Sequence, residues 1–411
     1  MTEHVPTVHL TDPTVLVTLT GPDQSGVSTR LFSEMAAFGV EIIDIEQLVL
    51  RGRLVLGVLL TVADERDAFE RSVRNVGEKF GLDVAVEYGT GDNRARRVGR
   101  SQVTILGAPL YPGALAAMTA RIKGAGGNID RILRLARYPV TAIKMEVSGA
   151  EPEVLQVELA AEAAAQGVDV AVQEHGILRH AQRLIVMDVD STLIQGEVIE
   201  MIAARAGFAE EVAAVTSAAM KGELDFGASL ESRVALLAGV DSAALDEIYE
   251  SLVYAPGART MIRTLKRLGY KFALVSGGFT QIIERIAEAL EIDYFAANEL
   301  EVIDGLLTGK IVGPIVDRAG KADALRRFAA LANISVKNTV AIGDGANDLD
   351  MLAAAGLGIA FNAKPQVRDK AHTSLNVPYL DAIIYLLGIT REEVEAADEA
   401  DDEAGRGAPS G

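Results

Sequence analysis

The stretch that most constrains the fold of this chain is Arg183 to Ile194, which reads RLIVMDVDSTLI. Leu184 to Met187 is a short, unbroken apolar run with β-branched members, which is typical of a strand buried on both faces. The run ends on two aspartates, Asp188 and Asp190. Ligands of open α/β sheets bind where strands end, and two acids placed there repel each other unless a metal, a shared proton or both lie between them. The alternative is a solvated turn or a helix cap.

Length and composition indicate a globular protein with two or three domains. The 411 residues are 49% hydrophobic and 24% charged, and no apolar run is long enough to cross a bilayer. The first residues lack the basic and apolar regions of a signal peptide, and there is no cysteine, which fits the cytoplasm. The net charge of -19 argues against nucleic acid as a partner. We therefore expect a cytoplasmic protein that binds neither nucleic acid nor membrane.

Two successive segments have the element order β-α-β-β-α-β, the split βαβ arrangement. In the first copy, a strand at Val15 to Thr20 is followed by the turn GPDQSG, Gly21 to Gly26, and then by a helix. A glycine- and arginine-rich stretch, Gly89 to Arg100, separates the copies and is interpreted as a linker. The sequence therefore predicts two small domains, at 13–89 and 101–175, after an N-terminal arm at 1–12.

This order, with a glycine-bearing turn after the first strand, resembles ACT domains, the small amino-acid-sensing modules of metabolic enzymes. The resemblance implies an amino-acid effector at an interface between two such modules, and the match falls on Asp23 and Gly26. The alternative is that Asp23 caps the following helix and Gly26 only permits the turn. The second copy has GAPLYPG, Gly107 to Gly113, at this place and no aspartate, so at most one of the two turns is a full effector site. Because ACT modules commonly pair, the resemblance also implies a homodimer.

From Arg183 onwards, apolar strands alternate with helical stretches, which predicts an α/β domain with a doubly wound parallel sheet over 183–388. Three strands end in polar residues. The first ends at Asp188, the second in SGGF, Ser276 to Phe279, and the third in GDGANDLDML, Gly343 to Leu352. In a parallel sheet these three ends share one edge and converge.

Taken together, DVDST, SGG, a lysine and GDGAND resemble the haloacid dehalogenase superfamily of phosphotransferases, and most of all its phosphoserine phosphatase family. With ACT domains ahead of it, the chain is similar to the bacterial, serine-biosynthetic form. The resemblance covers Arg183 to about Leu387. It implies hydrolysis of O-phospho-L-serine to L-serine and phosphate, the last step of serine biosynthesis, with serine as the natural feedback effector.

The hydrolysis of a phosphate monoester requires a nucleophile, an acid and charge neutralisation. Asp188 is the expected nucleophile, which forms an aspartyl-phosphate. Asp190 is the expected general acid, which protonates the leaving oxygen and then takes a proton from the attacking water. Mg²⁺ fits because carboxylates, phosphate and waters complete its octahedron. The resemblance implies Asp188, the backbone carbonyl of Asp190 and Asp344 as its ligands.

Further residues are expected around the phosphoryl group. The Ser276 hydroxyl and the Gly277 N–H can hold phosphate oxygens at a helix start, and the alternative for Ser276 is an ordinary helix N-cap. By family position, Lys321 neutralises the phosphate, Asn347 contacts it and Asp348 holds the lysine in place. Asp350 is expected in the first turns of the following helix, where an acid suits the helix dipole.

A helical insertion at about 196–255 follows the nucleophile strand, where this superfamily places a lid. By resemblance, Glu197 takes the substrate ammonium and Arg233 its carboxylate, while Met220 and Phe226 close over the serine side chain. Considered singly, Glu197 and Arg233 are also consistent with exposed helix charges, and Met220 and Phe226 with the core of the lid.

Two other segments are expected to take no part in the chemistry. Asn298 to Val312 is interpreted as a small hairpin appendage at the sheet edge, and the acidic segment 392–411 as a disordered tail. Two alternative functions remain open. One is a phosphotransferase or mutase that passes the phosphoryl group to another acceptor. The other is an amino-acid-binding regulatory protein with an inactive hydrolase-like half, against which the intact set of candidate catalytic residues argues.

Overall fold

A computed structural model gives the architecture of the chain, and it describes residues 11–91, 99–174, 183–220, 226–371 and 373–407. Within these ranges, the side chains of 217–220, 226 and 401–407 are not described. Most of the predicted N-terminal arm and of the two connectors around the second small domain lies outside the described residues. The chain divides into two compact units, Met1–Arg96 and Arg97–Gly411.

The first unit is a four-stranded antiparallel sheet with strand order β2-β3-β1-β4 and two helices. Alternate residues of β1 and β3, such as Val17 and Leu56, are fully buried, because one face of the sheet packs against the helices and the other does not. The element order is the predicted one, with β1 Pro13–Pro22, α1 Val27–Ala36, β2 Ile42–Leu50, β3 Arg53–Thr61, α2 Arg66–Phe80 and β4 Asp83–Thr90.

The second unit begins with another sheet of this type, with strand order β6-β7-β5-β8. Its elements are β5 Ser101–Gly107, α3 Pro112–Gly124, β6 Asn128–Ala136, β7 Thr141–Ser148, α4 Pro152–Gln166 and β8 Asp169–Glu174. Asp169 joins this domain to the rest of the unit. Its carboxylate accepts hydrogen bonds from the backbone N–H of Asn376, at 2.8 Å, and from the Asn376 side-chain amide, at 2.6 Å.

The remainder of the second unit is built on a seven-stranded sheet with strand order β12-β11-β10-β9-β13-β14-β15. All neighbouring strands are parallel except β11 and β12. The strands are β9 Leu184–Met187, β10 Lys271–Phe279, β11 Tyr294–Ile303, β12 Leu306–Val312, β13 Thr339–Gly343, β14 Leu357–Phe361 and β15 Thr373–Leu375. The central strand, β9, is completely buried. The prediction of a parallel-sheet α/β domain is therefore confirmed.

Helices surround this sheet, and a helical cap is inserted between β9 and β10. The helices beside the sheet are α9 Ala258–Arg267, α10 Thr280–Ala289, α11 Arg318–Leu331, α12 Leu349–Ala354, α13 Pro365–Arg368, α14 Ala382–Leu386 and α15 Arg391–Gly407. The cap consists of α5 Val198–Ala206, α6 Ala209–Met220, α7 Phe226–Ala235 and α8 Ala243–Ser251. Within the described parts of the chain, no helix is both long and apolar enough to cross a membrane.

The prediction of a disordered acidic tail over 392–411 is wrong for the described part, because α15 is a helix. At its start, the Glu393 carboxylate accepts hydrogen bonds from the N–H and the hydroxyl of Thr390, at 2.7 and 2.8 Å. Further along, Asp398 forms ion pairs with Arg263 and Arg267 of α9, at 2.7 and 2.6 Å. Alanine and glutamate favour a helix, and these basic partners offset part of the acidic charge.

Candidate active site

The carboxyl ends of three neighbouring strands meet at one edge of the parallel sheet. β9 lies between β10 and β13, and its last residue, Met187, pairs with Leu274 on one side and Ile342 on the other. Asp188, Ser276 and Asp344 therefore come together at this edge, as the sequence predicts. In addition, the backbone N–H of Asp188 donates to the Ile342 carbonyl at 2.9 Å, which fixes the start of the loop that follows β9.

Lys321 is fully buried at this edge, between two carboxylates. Its Nζ lies 2.8 Å from Asp188 Oδ1 and 2.7 Å from Asp348 Oδ1. The other oxygen of Asp348 accepts the Gly345 N–H at 2.9 Å, so this carboxylate is held on both sides. Burial alone would lower the pKa of Lys321, but Asp188 and Asp348 outweigh it and raise the pKa. The lysine is therefore a fixed positive charge, and the expected contact with Asp348 is present.

The two acids that follow β9 are bound differently. Asp188 Oδ1 accepts hydrogen bonds from Lys321 and from the Val189 N–H, the latter at 2.8 Å. Asp190 accepts the Val198 N–H on Oδ1 at 2.7 Å and the Ser276 hydroxyl on Oδ2 at 3.1 Å. Burial is the main cause that raises the pKa of both carboxyls, and the charge of Asp348 raises that of Asp188 further. Burial therefore makes the charged form of both carboxylates less favourable than it is in water.

The acidic cluster of Asp188, Asp344 and Asp348 could hold a metal ion, because carboxylate oxygens of the three lie within 4.8 Å of one another. Oxygen donors of this kind suit a hard divalent cation. Burial, followed by the charge of Asp348, raises the pKa of Asp344 to about 6, so positive charge is deficient here. Because both oxygens of Asp348 already accept hydrogen bonds, Asp188 and Asp344 are the better placed ligands.

The last residues of β10, where its pairing with β11 shifts between Val275 and Phe279, form a turn that is held by its own serine. Ser276 Oγ accepts the Gly278 N–H at 2.7 Å, and the residue that precedes helix α10 is Phe279. The alternative that Ser276 is the N-cap of this helix is therefore wrong. A β-carbon on Gly278 would lie 2.9 Å from both Asp190 Oδ2 and Ser276 Oγ. Only glycine allows the turn to approach Asp190 this closely.

Two supporting residues were not predicted. The buried Asn298 side chain donates to the Gly277 carbonyl at 2.8 Å and accepts the Val316 N–H at 2.8 Å, so it holds the turn at the end of β10. The Thr192 hydroxyl donates to Asp344 Oδ1 at 2.9 Å. Thr192 could have been found from its place in the DVDST motif. Asn298 could not, because only the pairing of β11 with β10 brings it to the turn.

A cavity of about 90 Å³ lies over this edge, between the sheet and the cap. Ser276, Lys321 and Asp348 are buried beside it. Ser276 bonds to Asp190 and Lys321 to Asp188, while Asp348 bonds to Lys321 and to the Gly345 N–H. The predicted site residues on the wall itself are Asp188, Asp190, Glu197, Arg233, Gly277, Asp344 and Asn347. Asp350 lies in the first turn of α12, as expected, and pairs with Arg318.

The cap contributes one acidic and one basic side chain to this cavity, Glu197 and Arg233. Glu197 directly precedes α5, and burial, followed by the charges of Asp190 and Asp344, raises its pKa to about 7. Arg233 lies in the last turn of α7 and donates from Nε to the Ser229 carbonyl at 3.3 Å. Both are partly buried, so the alternative of exposed helix charges is wrong. Met220 and Phe226 lie at helix ends, and their side chains are outside the described part of the chain.

In the first unit, the turn before α1 is confirmed as one that requires glycine. Gly26 has a φ of 92°, and no side chain of the described residues caps the helix. Asp23 is exposed, and its backbone N–H donates to the Gly52 carbonyl at 2.8 Å. The alternative that Asp23 caps α1 is therefore wrong, while the effector site itself stays a prediction.

Comparison with known proteins follows this division of the chain. A haloacid dehalogenase-like hydrolase family matches residues 185–353, and ACT domain families match residues 13–87 and 100–173. A phosphoserine phosphatase of Streptomyces coelicolor is 57% identical over 397 residues, which are 96% of this chain and 97% of that protein. A phosphoserine phosphatase of Mycobacterium tuberculosis is 52% identical over 94% of this chain and 96% of its own length.

Among solved structures, an unliganded probable phosphoserine phosphatase from Vibrio cholerae matches 72% of this chain and 88% of its own, with 35% identity and a TM-score of 0.56. The likeness therefore extends from sequence to fold. With near-complete coverage at more than half identity, the chain belongs to the phosphoserine phosphatase family of haloacid dehalogenase-like hydrolases, and two ACT domains precede its hydrolase domain.

Proposed function

We propose that this chain is an Mg²⁺-dependent phosphatase that hydrolyses O-phospho-L-serine to L-serine and phosphate through an aspartyl-phosphate. The observation that carries the proposal is the composition of one small cavity. Asp188, with Lys321 behind it, faces the same space as Glu197 and Arg233. The cavity therefore combines groups that suit phosphoryl transfer with a pair of opposite charges that suits the ammonium and carboxylate groups of an amino acid. The names of the two bacterial relatives support the same substrate.

In the first step, Asp188 attacks phosphorus with Oδ2, because its bonds to described residues fall on Oδ1. The bond between phosphorus and the seryl oxygen breaks, and that oxygen takes the proton of Asp190. Burial raises the pKa of Asp190, which favours its role as a proton donor. The Ser276 hydroxyl and the Gly277 N–H orient the phosphoryl oxygens, and Lys321 offsets their charge.

In the second step, Asp190 acts as a base. It takes a proton from a water molecule, whose oxygen attacks phosphorus as the bond to Asp188 breaks and restores the carboxylate. When bound, Mg²⁺ supplies positive charge that lets an anionic nucleophile approach an anionic phosphate. Asp188, Asp344 and the backbone carbonyl of Asp190 are the proposed ligands. Thr192 orients Asp344 through its hydrogen bond.

The cap selects the amino-acid part of the substrate. Glu197 binds the ammonium group, which stabilises the charged carboxylate that burial otherwise disfavours. Arg233 binds the substrate carboxylate and Asn347 contacts the phosphate, while Met220 and Phe226 are proposed to close over the small side chain.

We also propose that an amino acid, serine by the logic of feedback, binds the first ACT domain at Asp23 and Gly26, and that the protein is a homodimer through its ACT domains. The open turn at Gly26 supports the first proposal, because no atom of the described residues lies within 4 Å of a β-carbon built there. The second is supported by β2, an edge strand on which Leu48 and Leu50 are 46% and 66% exposed.

The test is phosphate release from phosphoserine with Mg²⁺, with EDTA, and after Asp188→Asn. We expect EDTA to abolish turnover and Asp188→Asn to lower it by roughly 1,000-fold or more, because a nucleophile is removed. Asp350→Asn is the matched control, since Asp350 lies on the adjoining helix outside the cavity wall. A wild-type rate for Asp188→Asn would refute the mechanism. Serine and phosphate released in equal amounts, without an added acceptor, would exclude the mutase alternative.

A further inference from the structure

The hairpin of β11 and β12 is bonded to the cap as well as to the sheet. The loop between α7 and α8 exchanges backbone hydrogen bonds with it. The Gly239 N–H donates to the Leu307 carbonyl at 2.7 Å, and the Leu307 N–H donates to the Val240 carbonyl at 2.8 Å. A third bond runs from the Ser242 N–H to the Gly305 carbonyl at 2.8 Å. This ladder extends the sheet into the cap and fixes the C-terminal side of α7.

The closest approach between hairpin and α7 is at Gly309, which has a φ of +82°. A β-carbon there would lie 2.9 Å from Ala238 Cβ, 3.1 Å from the Ala235 carbonyl oxygen and 3.3 Å from Ala235 Cα. The hairpin therefore contacts the backbone of α7 two residues beyond Arg233. The buried Leu307 of the hairpin and Val234 of α7 also belong to one hydrophobic core.

The other strand of the hairpin, β11, contacts the opposite end of the cavity. Asn298 of β11 donates to the Gly277 carbonyl and so holds the turn proposed to bind phosphate. One rigid hairpin thus contacts the proposed phosphate turn at one end and the helix of Arg233 at the other. Its geometry sets the spacing between these two groups.

We propose that the β11–β12 hairpin positions Arg233 for the substrate carboxylate, and that Gly309 is the positioning residue at which the hairpin and α7 meet. The inference rests on the proposed function, in which Arg233 binds that carboxylate. A side chain at position 309 moves α7 outward and weakens the carboxylate contact, while the groups around the phosphate stay in place.

The test compares Gly309→Ala with Gly313→Ala on two substrates. Gly313 has a φ of +80°, and no atom of the described residues lies within 4 Å of a β-carbon built there, so the control has the same backbone strain without the contact. Phosphoserine carries a carboxylate, and phosphoethanolamine keeps the phosphate and the ammonium group without it. We expect Gly309→Ala to lower kcat/KM for phosphoserine by roughly 10-fold or more, the effect of a weakened charge-assisted hydrogen bond. Phosphoethanolamine should change less than about twofold, and Gly313→Ala should affect neither substrate.

Arg233→Ala separates this inference from the proposed function. If Arg233→Ala lowers kcat/KM for both substrates by the same factor, its assignment as carboxylate ligand fails. If Arg233→Ala lowers kcat/KM for phosphoserine alone but Gly309→Ala does not, or if Gly309→Ala lowers both activities equally, the positioning role is refuted. Ala238→Gly in the Gly309→Ala background removes one of the clashing groups and should restore part of the kcat/KM for phosphoserine. If Gly309→Ala does not fold, the double variant is tested in its place, and the changes in kcat/KM for the two substrates are compared in the same way.

Discussion

The strongest quantitative prediction concerns the charge balance beneath the cavity. In Lys321→Met, a side chain of similar length replaces a fully buried ammonium group that lies 2.8 Å from Asp188 and 2.7 Å from Asp348. Two buried carboxylates then lose their shared cation. Removal of one partner from a buried ion pair destabilises a protein by about 3–5 kcal/mol, because the remaining charge is left uncompensated. We expect this loss in the hydrolase domain.

Lys271→Met is the matched control. The Lys271 ammonium also contacts a carboxylate, Asp293 Oδ1 at 2.6 Å, but its side chain is 49% exposed. Exposed pairs contribute about 0–1 kcal/mol, since water competes for both charges. The two variants make the same chemical change and differ in burial. The comparison therefore isolates the effect of desolvation from that of losing a lysine.

The assay is thermal unfolding by circular dichroism at pH 7.5, without divalent cations and at one protein concentration. The Tm of Lys321→Met should fall by roughly 6–20 °C, and that of Lys271→Met by about 4 °C or less. Phosphoserine turnover should fall by roughly 100-fold or more in Lys321→Met, because a preorganised charge near the phosphoryl group is lost. If both variants unfold at the same temperature, Lys321 is not the fixed charge described above, and the reasoning fails.

Three further predictions address the ACT domains and their attachment. Asp23→Ala should abolish any response of turnover to L-serine while it leaves the basal rate unchanged, and a response equal to the wild type would contradict the effector site. Leu48→Lys should shift sedimentation from dimer to monomer, because it places a charge on the exposed edge strand; a persistent dimer would argue for another interface. Burial raises the pKa of Asp169 from 3.8 to about 6. Its contribution to the free energy of unfolding is therefore fully present below pH 4 and is lost as the pH rises through 6, and the loss amounts to at most ~3 kcal/mol. The Tm of the wild type relative to Asp169→Asn should therefore fall between pH 4.5 and 6.5, and parallel pH profiles would refute this.

The sequence predicts the position of the site because the motifs that form it are local, and because parallel strands bring their carboxyl ends to the same edge of a sheet. Each of three short apolar runs ends in a polar residue, Asp188, Ser276 or Asp344. Once the strands are parallel neighbours, as β9, β10 and β13 are, their carboxyl ends have to meet at one edge. The order of elements in both ACT domains follows for the same reason, since alternation and turn residues are local properties.

What the sequence does not predict depends on contacts between distant segments. The acidic segment after Thr390 reads as disordered by composition, yet it forms α15 because Arg263 and Arg267, on a helix more than 100 residues earlier, pair with Asp398. For the hairpin after Asn298, the sequence indicates only an appendage at the sheet edge. Nothing in its own residues predicts its hydrogen bonds to the loop between α7 and α8. In both cases the local pattern is ambiguous, and tertiary partners decide the outcome.

The arrangement of Asp190 connects substrate choice to the rate of the reaction. Its Oδ1 accepts the N–H of Val198, the first residue of the first cap helix, and its Oδ2 accepts the hydroxyl of Ser276 on the sheet. The proposed general acid is therefore oriented jointly by the cap and the sheet. Glu197 directly precedes Val198. If Glu197 binds the substrate ammonium group as proposed, that contact also fixes the N–H that orients Asp190. Binding energy from a part of the substrate that does not react then helps to place the acid, and a substrate without the ammonium group should lose kcat as well as affinity.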